Sequence, residues 1–396
     1  MHLNKEKLPI IYETMKKHNV DVWLITGRES NLTSEPILPV LGDIEFIFAT
    51  TIIFTKEKCI AIASSLDAEC YKLLDGVDEV YQYNNLMEDT VFEVLENLKP
   101  NNLALNYCRS DSSSDGLSLG MFKKLEKVFD KLKTKPNIIS AFPIVNEVRG
   151  RKTSKQIELI KHCVVKADEY LRTIPSVCKK GTTSLDLFNH LQKIAYKDGY
   201  EMSWSKSQCP GVSVDPNVPA GHMGIIETPL LQGFLVNIDY GVSKDGYCSD
   251  LQRMYYVLKD DEVDAPQEVK DAFYLVRDAV KKAKEFMKIG VTGFQVDQVA
   301  RHHIVDNGYD SWNAALGHQV GHQTHDGGTI LANRRPRYNK PELIDEPLLE
   351  GNVFTIEPSI KTPYGKICIE EDVVITKKGT LWLVEPQQEL ILIKLL

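Results

Sequence analysis

No stretch of this sequence approaches about eighteen consecutive apolar residues, so none is expected to cross a bilayer. The opening run, MHLNKEKLPIIYETMKKHN, lacks the apolar core of a secretory signal. The cysteines, at 59, 70, 108, 163, 178, 209, 248 and 368, form no C-x-x-C pair. Thiolate metal sites need such spacing, and disulfide scaffolds are smaller and denser in cysteine, so these read as free thiols of a reducing, cytoplasmic compartment. Positive charge is in deficit, with 47 Lys and Arg against 55 Asp and Glu and a formal net charge of -8. That argues against broad attraction to nucleic acid or anionic membrane. The zinc-helix pattern H-E-x-x-H is also missing.

What is present is an ordinary globular composition, 43% hydrophobic and 26% charged, over 396 residues. That length accommodates two domains. The first part alternates helix and strand. Apolar residues at helical spacing run from Leu8 to His18, and strand-like segments follow at 20–26, 44–55, 59–64, 77–83 and 102–107. A helix is expected over 89–98, starting at an aspartate cap, and an amphipathic one over 117–133. The polar, basic stretch NEVRGRKTSKQ marks a boundary, giving an α/β domain over 1–147 and a second domain over 148–396. The basic run KKLEKVFDKLK reads as a solvated helix face.

The second domain repeats its elements. A helix capped at Thr153 or Ser154 buries Ile157, Ile160, Val164 and Ala167, another spans 184–196, and strands follow at 234–242 and 247–257. Helices over 266–287 and 294–306 then precede strands at 351–358 and 366–376. Helix, helix, strand, strand thus occurs twice, at the level of elements and not of sequence. A pseudo-two-fold α+β arrangement would bring the acids on the two strand pairs to one centre.

Those acids are Asp239 and Asp250 on the first pair and Glu357 and Glu370 on the second. A hairpin turning at Lys244 and Asp245 places Asp239 and Asp250 roughly opposite, with Cβ atoms about 5 Å apart. Bare carboxylates that close repel, and a divalent cation between them removes the cost. His318, in GHQVGHQTHDGG, supplies an imidazole. A set of oxygens and one imidazole without thiolate suits Mn, Co, Zn or Fe. Two such ions activate water and polarise a carbonyl. Glu371 and Asp372 flank Glu370, and at most one shares its face. Trp204 and Trp312 precede site residues and serve either as pocket wall or as packing.

Taken together, VNIDYG, YCSDLQR, GHQVGH, FTIEPSI and ICIEEDVVIT resemble the creatinase, prolidase and methionine aminopeptidase superfamily of pita-bread metallopeptidases. Among these the chain is most similar to the two-domain Xaa-Pro peptidases, and the resemblance covers nearly all of it. It implies a creatinase-type N-terminal α/β domain followed by a pita-bread catalytic domain. It also implies two divalent ions, most readily manganese, held by Asp239, Asp250, His318, Glu357 and Glu370. Glu357 would guide the proton of the attacking water, and His222 and His325 would steady substrate and intermediate; His322 matches no family role. Removal of the residue before proline from short peptides, by a cytoplasmic homodimer, is the implied activity. Creatinase lacks the metal ligands, and single-domain methionine aminopeptidases lack the N-terminal domain. A non-peptidase hydrolase or lyase using the same metals is the alternative, and a metal-free binding protein would lack ligands present here. The chain departs from the family at Cys368 and Thr329, where proline peptidases often or typically carry arginine. Arg334, Arg335 and Arg337 lie nearby in NRRPRY as substitutes. The run GRESNLTSEP also differs from the family's usual N-terminal stretch.

Overall fold

The computed structural model describes residues 2–33, 35–215, 217 and 224–395. The chain folds as two compact units, Met1–Thr153 and Ser154–Leu396. The division falls within the basic stretch, six residues past the boundary expected at 147/148, because a helix over Phe142–Gly150 packs into the first unit.

The first unit is a six-stranded sheet between helices. Its strands are β1 (Val22–Gly27), β2 (Thr50–Phe54), β3 (Cys59–Ser64), β4 (Glu79–Tyr83), β5 (Asn102–Leu105) and β6 (Asn137–Ser140), in spatial order β4-β3-β2-β1-β5-β6. Ile11 and Met15 of α1 (Leu8–Lys17) share one core with Trp23 and Ile25. Val91 and Leu95 of α2 (Met87–Leu98), with Leu125 and Val128 of α3 (Leu119–Lys131), cover the opposite face. The helix expected to start at an aspartate cap starts earlier, after Leu86, and Asp89 lies in its first turn where the N-terminal dipole favours acid. The last strand, β6, and α4 (Phe142–Gly150) escaped sequence reading because NIIS is too short to show a period.

The second unit opens with α5 (Ser154–Leu171), whose Ile160, Val164, Ala167 and Leu171 form one buried stripe. Next come α6 (Ser184–Lys197), β7 (Gly211–Ser213), β8 (Leu235–Tyr240), β9 (Val242–Lys244), β10 (Tyr247–Cys248) and β11 (Leu251–Val257). After these lie α7 (Gln267–Phe286), α8 (Gly293–Asp306), β12 (Val353–Ile356), β13 (Ser359–Thr362), β14 (Gly365–Cys368), β15 (Glu371–Thr376), β16 (Gly379–Trp382) and β17 (Ile391–Ile393).

The two halves share more than element order. Both α6 and α8 begin with a capping box, Thr183 with Asp186 and Thr292 with Gln295. Each capping threonine bridges a proline, Thr183 to Pro229 and Thr292 to Pro347. From those prolines the chain reads PLLQGFLVNID in one half and PLLEGNVFTIE in the other. Gly233 and Gly351 take the same left-handed φ, 83° and 84°. Each donates its N–H across its hairpin, to Val257 O at 2.7 Å and Ile375 O at 2.9 Å. The repeat therefore extends to sequence, contrary to the expectation of elements alone, and it ends on Asp239 and Glu357.

Four strands expected to be continuous are each interrupted. β8 gives way to β9 at Gly241, β10 to β11 at Ser249 and Asp250, β12 to β13 at Glu357 and Pro358, and β14 to β15 at Ile369 and Glu370. β8 pairs with β11 and β9 with β10, while β12 pairs with β15 and β13 with β14. Each hairpin thus carries two ladders with a gap between them; Asp250, Glu357 and Glu370 occupy the gaps, and Asp239 lies in β8 just before one.

Candidate metal centre

Three of the ligand positions, Asp250, Glu357 and Glu370, follow from those gaps. The first hairpin turns tightly at Asp245 and Gly246, both left-handed, φ 52° and 77°. Its register pairs Asp239 with Gln252 and Tyr240 with Leu251. Asp239 and Asp250 are therefore diagonal across the hairpin, not opposite as the turn alone had implied. The second hairpin pairs Ile356 with Glu371 and Ser359 with Cys368, so Glu357 and Glu370 face one another across its gap. Their amides leave the hairpin. Glu357 N donates to Leu316 O at 2.7 Å, and Glu370 N lies 3.4 Å from Gln252 O. The bridge between Gln252 and Glu370 joins the two hairpins.

His318 lies on the irregular chain after α8. Its carbonyl accepts from Thr355 N at 2.9 Å, and its amide donates to Thr355 Oγ1 at 3.1 Å. With Nδ1 assigned as donor to Gln319 O at 3.3 Å, the Nε2 lone pair faces the acids. Nε2 is 3.6 Å from Asp250 Oδ2, 3.6 Å from Glu357 Oε1 and 3.9 Å from Glu370 Oε1. Ligand atoms of Asp250, His318 and Glu370 all lie within 4.8 Å of one another. Asp239 joins them electrostatically, raising the pKa of Asp250, Glu357 and Glu370.

The electrostatics are those of a cation site. Burial, then Glu370, holds the Asp250 carboxyl well above its usual range, and burial, then Glu357, does the same to Glu370. Glu357 is pushed up to about 8 by burial and Asp239. Burial, then His325, lowers His318 to about 3, so its imidazole is neutral as a ligand must be. Asp250 Oδ1 and Glu370 Oε1 are buried without a hydrogen-bond partner. Orphaned carboxylate oxygens beside a neutral imidazole fit divalent metal, and leaving them bare is costly.

Other predicted residues fall into place around this centre. His325 is exposed, with its ring edge-on to His318 at 4.2 Å. His322 packs on Tyr247 at 4.3 Å. His222 lies outside the described residues. Trp312 is 7% exposed and covered by the Arg301 guanidinium at 3.8 Å, which makes it packing; Trp204 rests against the core of the first half. Arg334 forms a two-point pair with Asp345, Arg335 donates to Asn313, and Arg337 stacks on Tyr338.

Sequence reading missed the supports. Gln252 Nε2 donates to Glu370 Oε2 at 2.8 Å, and Asp250 N donates to Asp372 Oδ2 at 3.1 Å. Glu371 turns the other way, to Arg253 at 3.1 Å, and Arg253 also holds Asp168. The repeat could have found Gln252, because it lies 13 residues beyond Asp239, the same distance as Glu370 beyond Glu357.

Paired hairpins closing on carboxylates and one imidazole define a metal-dependent hydrolase with the pita-bread fold. The comparisons agree. Residues 158–377, more than half the chain, match the model of metallopeptidase family M24, and the chain belongs to that family. A Xaa-Pro dipeptidase of Pyrococcus horikoshii is 27% identical over 404 residues, covering 99% of this chain and 100% of that one. Among solved structures, the prolidase from the same organism has a TM-score of 0.70 at 25% identity, covering 98% of this chain and 100% of its own. The X-Pro aminopeptidase from Thermotoga maritima also has a TM-score of 0.70, at 23% identity over 96% of this chain and 100% of its own.

Proposed function

We propose that this chain is a dinuclear metallopeptidase that removes the N-terminal residue from short Xaa-Pro peptides. The observation that carries this is the set of Asp239, Asp250, Glu357 and Glu370 around neutral His318, with orphaned, buried oxygens on Asp250 and Glu370. Full-length similarity to a protein named Xaa-Pro dipeptidase supports the substrate. Four ligating carboxylates balance the charge of two divalent ions, and an oxygen-rich set favours manganese among them. Asp250 and Glu370, the buried members from opposite halves, would hold the ions together with Asp239, His318 and Glu357.

When bound, the ions polarise the scissile carbonyl and make water nucleophilic near neutral pH. Glu357, more open at 20% side-chain exposure than Asp250 or Glu370, accepts the proton of the attacking water. His325, exposed beside His318, donates to the carbonyl oxygen as charge builds on it. His222 takes a second such role on resemblance alone. The protein acts as a homodimer in the cytoplasm under this reading. Its cysteines are all free, which accords with a reducing compartment. Among the described residues no helix is long and apolar enough to cross a membrane.

The test is hydrolysis of Xaa-Pro dipeptides and tripeptides, with Xaa-Ala controls, by protein loaded with Mn, Co or Zn. Release of the first residue, selective for proline and lost in Asp239→Asn, is expected. Full metal occupancy with no peptide cleaved would sink the reading.

A further inference from the structure

The free carboxylate of a Xaa-Pro dipeptide lies one residue, about 3.5 Å of chain, beyond the scissile carbonyl. The two ions are balanced by Asp239, Asp250, Glu357 and Glu370, so a cation of the chain itself must meet that anion. The arginines after the histidine run are engaged with Asp345, Asn313 and Tyr338. Arg253 is buried between Asp168 and Glu371. Cys368 is 1% exposed, short and uncharged.

Lys366 is placed differently. Side chains alternate along β14, so 366 and 368 share a face, and the extended chain carries that row on toward 370. β14 lies beside β8, with Leu235 N donating to Tyr364 O at 2.9 Å and Asn237 Nδ2 to Cys368 O at 3.1 Å. The row thus starts at a lysine, passes a small thiol and ends at a metal ligand, about 13 Å in all. Lys366 is exposed and makes no hydrogen bond or ion pair among the described residues. Its charge is nevertheless coupled to Cys368, Glu357, Asp239 and Glu370, and it is the positive charge that Glu357 feels. A long, solvent-facing cation with no partner, beside acids that metal would neutralise, is available to an incoming anion.

We propose that Lys366 receives the free C-terminal carboxylate of the substrate and so makes the enzyme selective for dipeptides. This rests on the peptidase reading above. Lys366 is the substitute for the missing arginines, and it approaches from β14 instead of from the loop after the histidines.

The test compares Ala-Pro with its C-terminal amide on metal-loaded, full-length protein. The wild type should favour the free acid by about 10–100-fold in kcat/KM, the worth of one charged hydrogen bond. In Lys366→Met the preference should collapse to within about 3-fold, through KM for the acid, and Lys366→Arg should restore most of it. Binding of proline against prolinamide, measured calorimetrically, reads the same preference without turnover. A wild type indifferent to the carboxylate, or a K366M variant that keeps its preference, overturns the proposal. Absent cleavage with a proline preference that K366M loses would instead overturn the peptidase reading and uphold Lys366.

Discussion

Arg253→Met removes the cation from a buried network behind the metal centre. Arg253 Nε and Nη2 donate to Asp168 Oδ1 at 3.0 and 2.9 Å, and Nη1 donates to Glu371 Oε1 at 3.1 Å. Nη1 also reaches the carbonyls of Gln252 and Glu370 at 3.1 and 3.2 Å. Arg253 is 2% exposed and Glu371 1%. Methionine matches the stem but removes the cation shared by both buried carboxylates, a loss of about 3–5 kcal/mol. Asp168 keeps a second partner in Arg172 at 2.6 Å, which sets the expectation at the lower end, about 3 kcal/mol. The loss should also depend on pH. Burial raises Glu371 from 4.5 to about 7 even with Arg253 pulling it down. A raised acid costs the fold nothing below its unfolded value and its full penalty above its folded one. Without Arg253 the folded value climbs further, so the penalty keeps growing where the wild type's has levelled off. The gap between the two proteins should therefore widen as pH rises above about 7. Urea unfolding of metal-free protein, followed by Trp204, Trp312 and Trp382 in a Trp23→Phe background, reports the second unit alone. Arg253→Lys should fall between, keeping charge but losing the fork. A loss under about 1 kcal/mol, the scale of a surface pair, or a gap equal at pH 6 and pH 9, would refute the reasoning.

Two further outcomes bear on the metal site. Asp250→Asn deletes both a ligand and a crowded charge, so metal-free protein should melt higher, by about 2–4 °C per kcal/mol relieved, while the rise on adding Mn shrinks. A variant that melts lower without metal and still gains fully from Mn would contradict the placement of Asp250. Glu357 is raised from 4.5 to about 8, so metal-free stability should fall as pH climbs through that window while Mn affinity grows and binding releases protons. Calorimetry in buffers of different ionisation enthalpy would count those protons, and none released at pH 6 would speak against it.

The ligands were legible because acids in apolar strands are rare and the five positions fit a known pattern. Their geometry was not. Sequence reading ran 234–242 and 366–376 as single strands, since apolar alternation carries straight through Gly241 and Ile369. The hydrogen bonds that break the ladders come from far along the chain, Gln252 to Glu370 and Leu316 to Glu357, and no local pattern encodes them. The diagonal of Asp239 and Asp250 came from the same cause. Gln252 and Lys366 were overlooked because glutamine and lysine in strands are unremarkable alone. The matching runs from Pro229 and Pro347 were present in the sequence throughout, but only the paired φ values and bridges made their equivalence plain. For Trp312 sequence allows either pocket wall or packing, and Arg301 claims the ring for packing.

The bridge between Gln252 and Glu370 spans 118 positions. Asp239 and Asp250 therefore leave the ribosome well before His318, Glu357 and Glu370 exist. A nascent chain at that stage holds an acidic hairpin with no imidazole and no opposing carboxylates. Metal cannot nucleate this fold, as it does in small zinc domains whose ligands are close in sequence. Loading must be a late event in the protein's life. Cleaving the chain at the exposed turn of Asp260 and Asp261 would leave two pieces that each carry part of a ligand set, and metal could report when they rejoin.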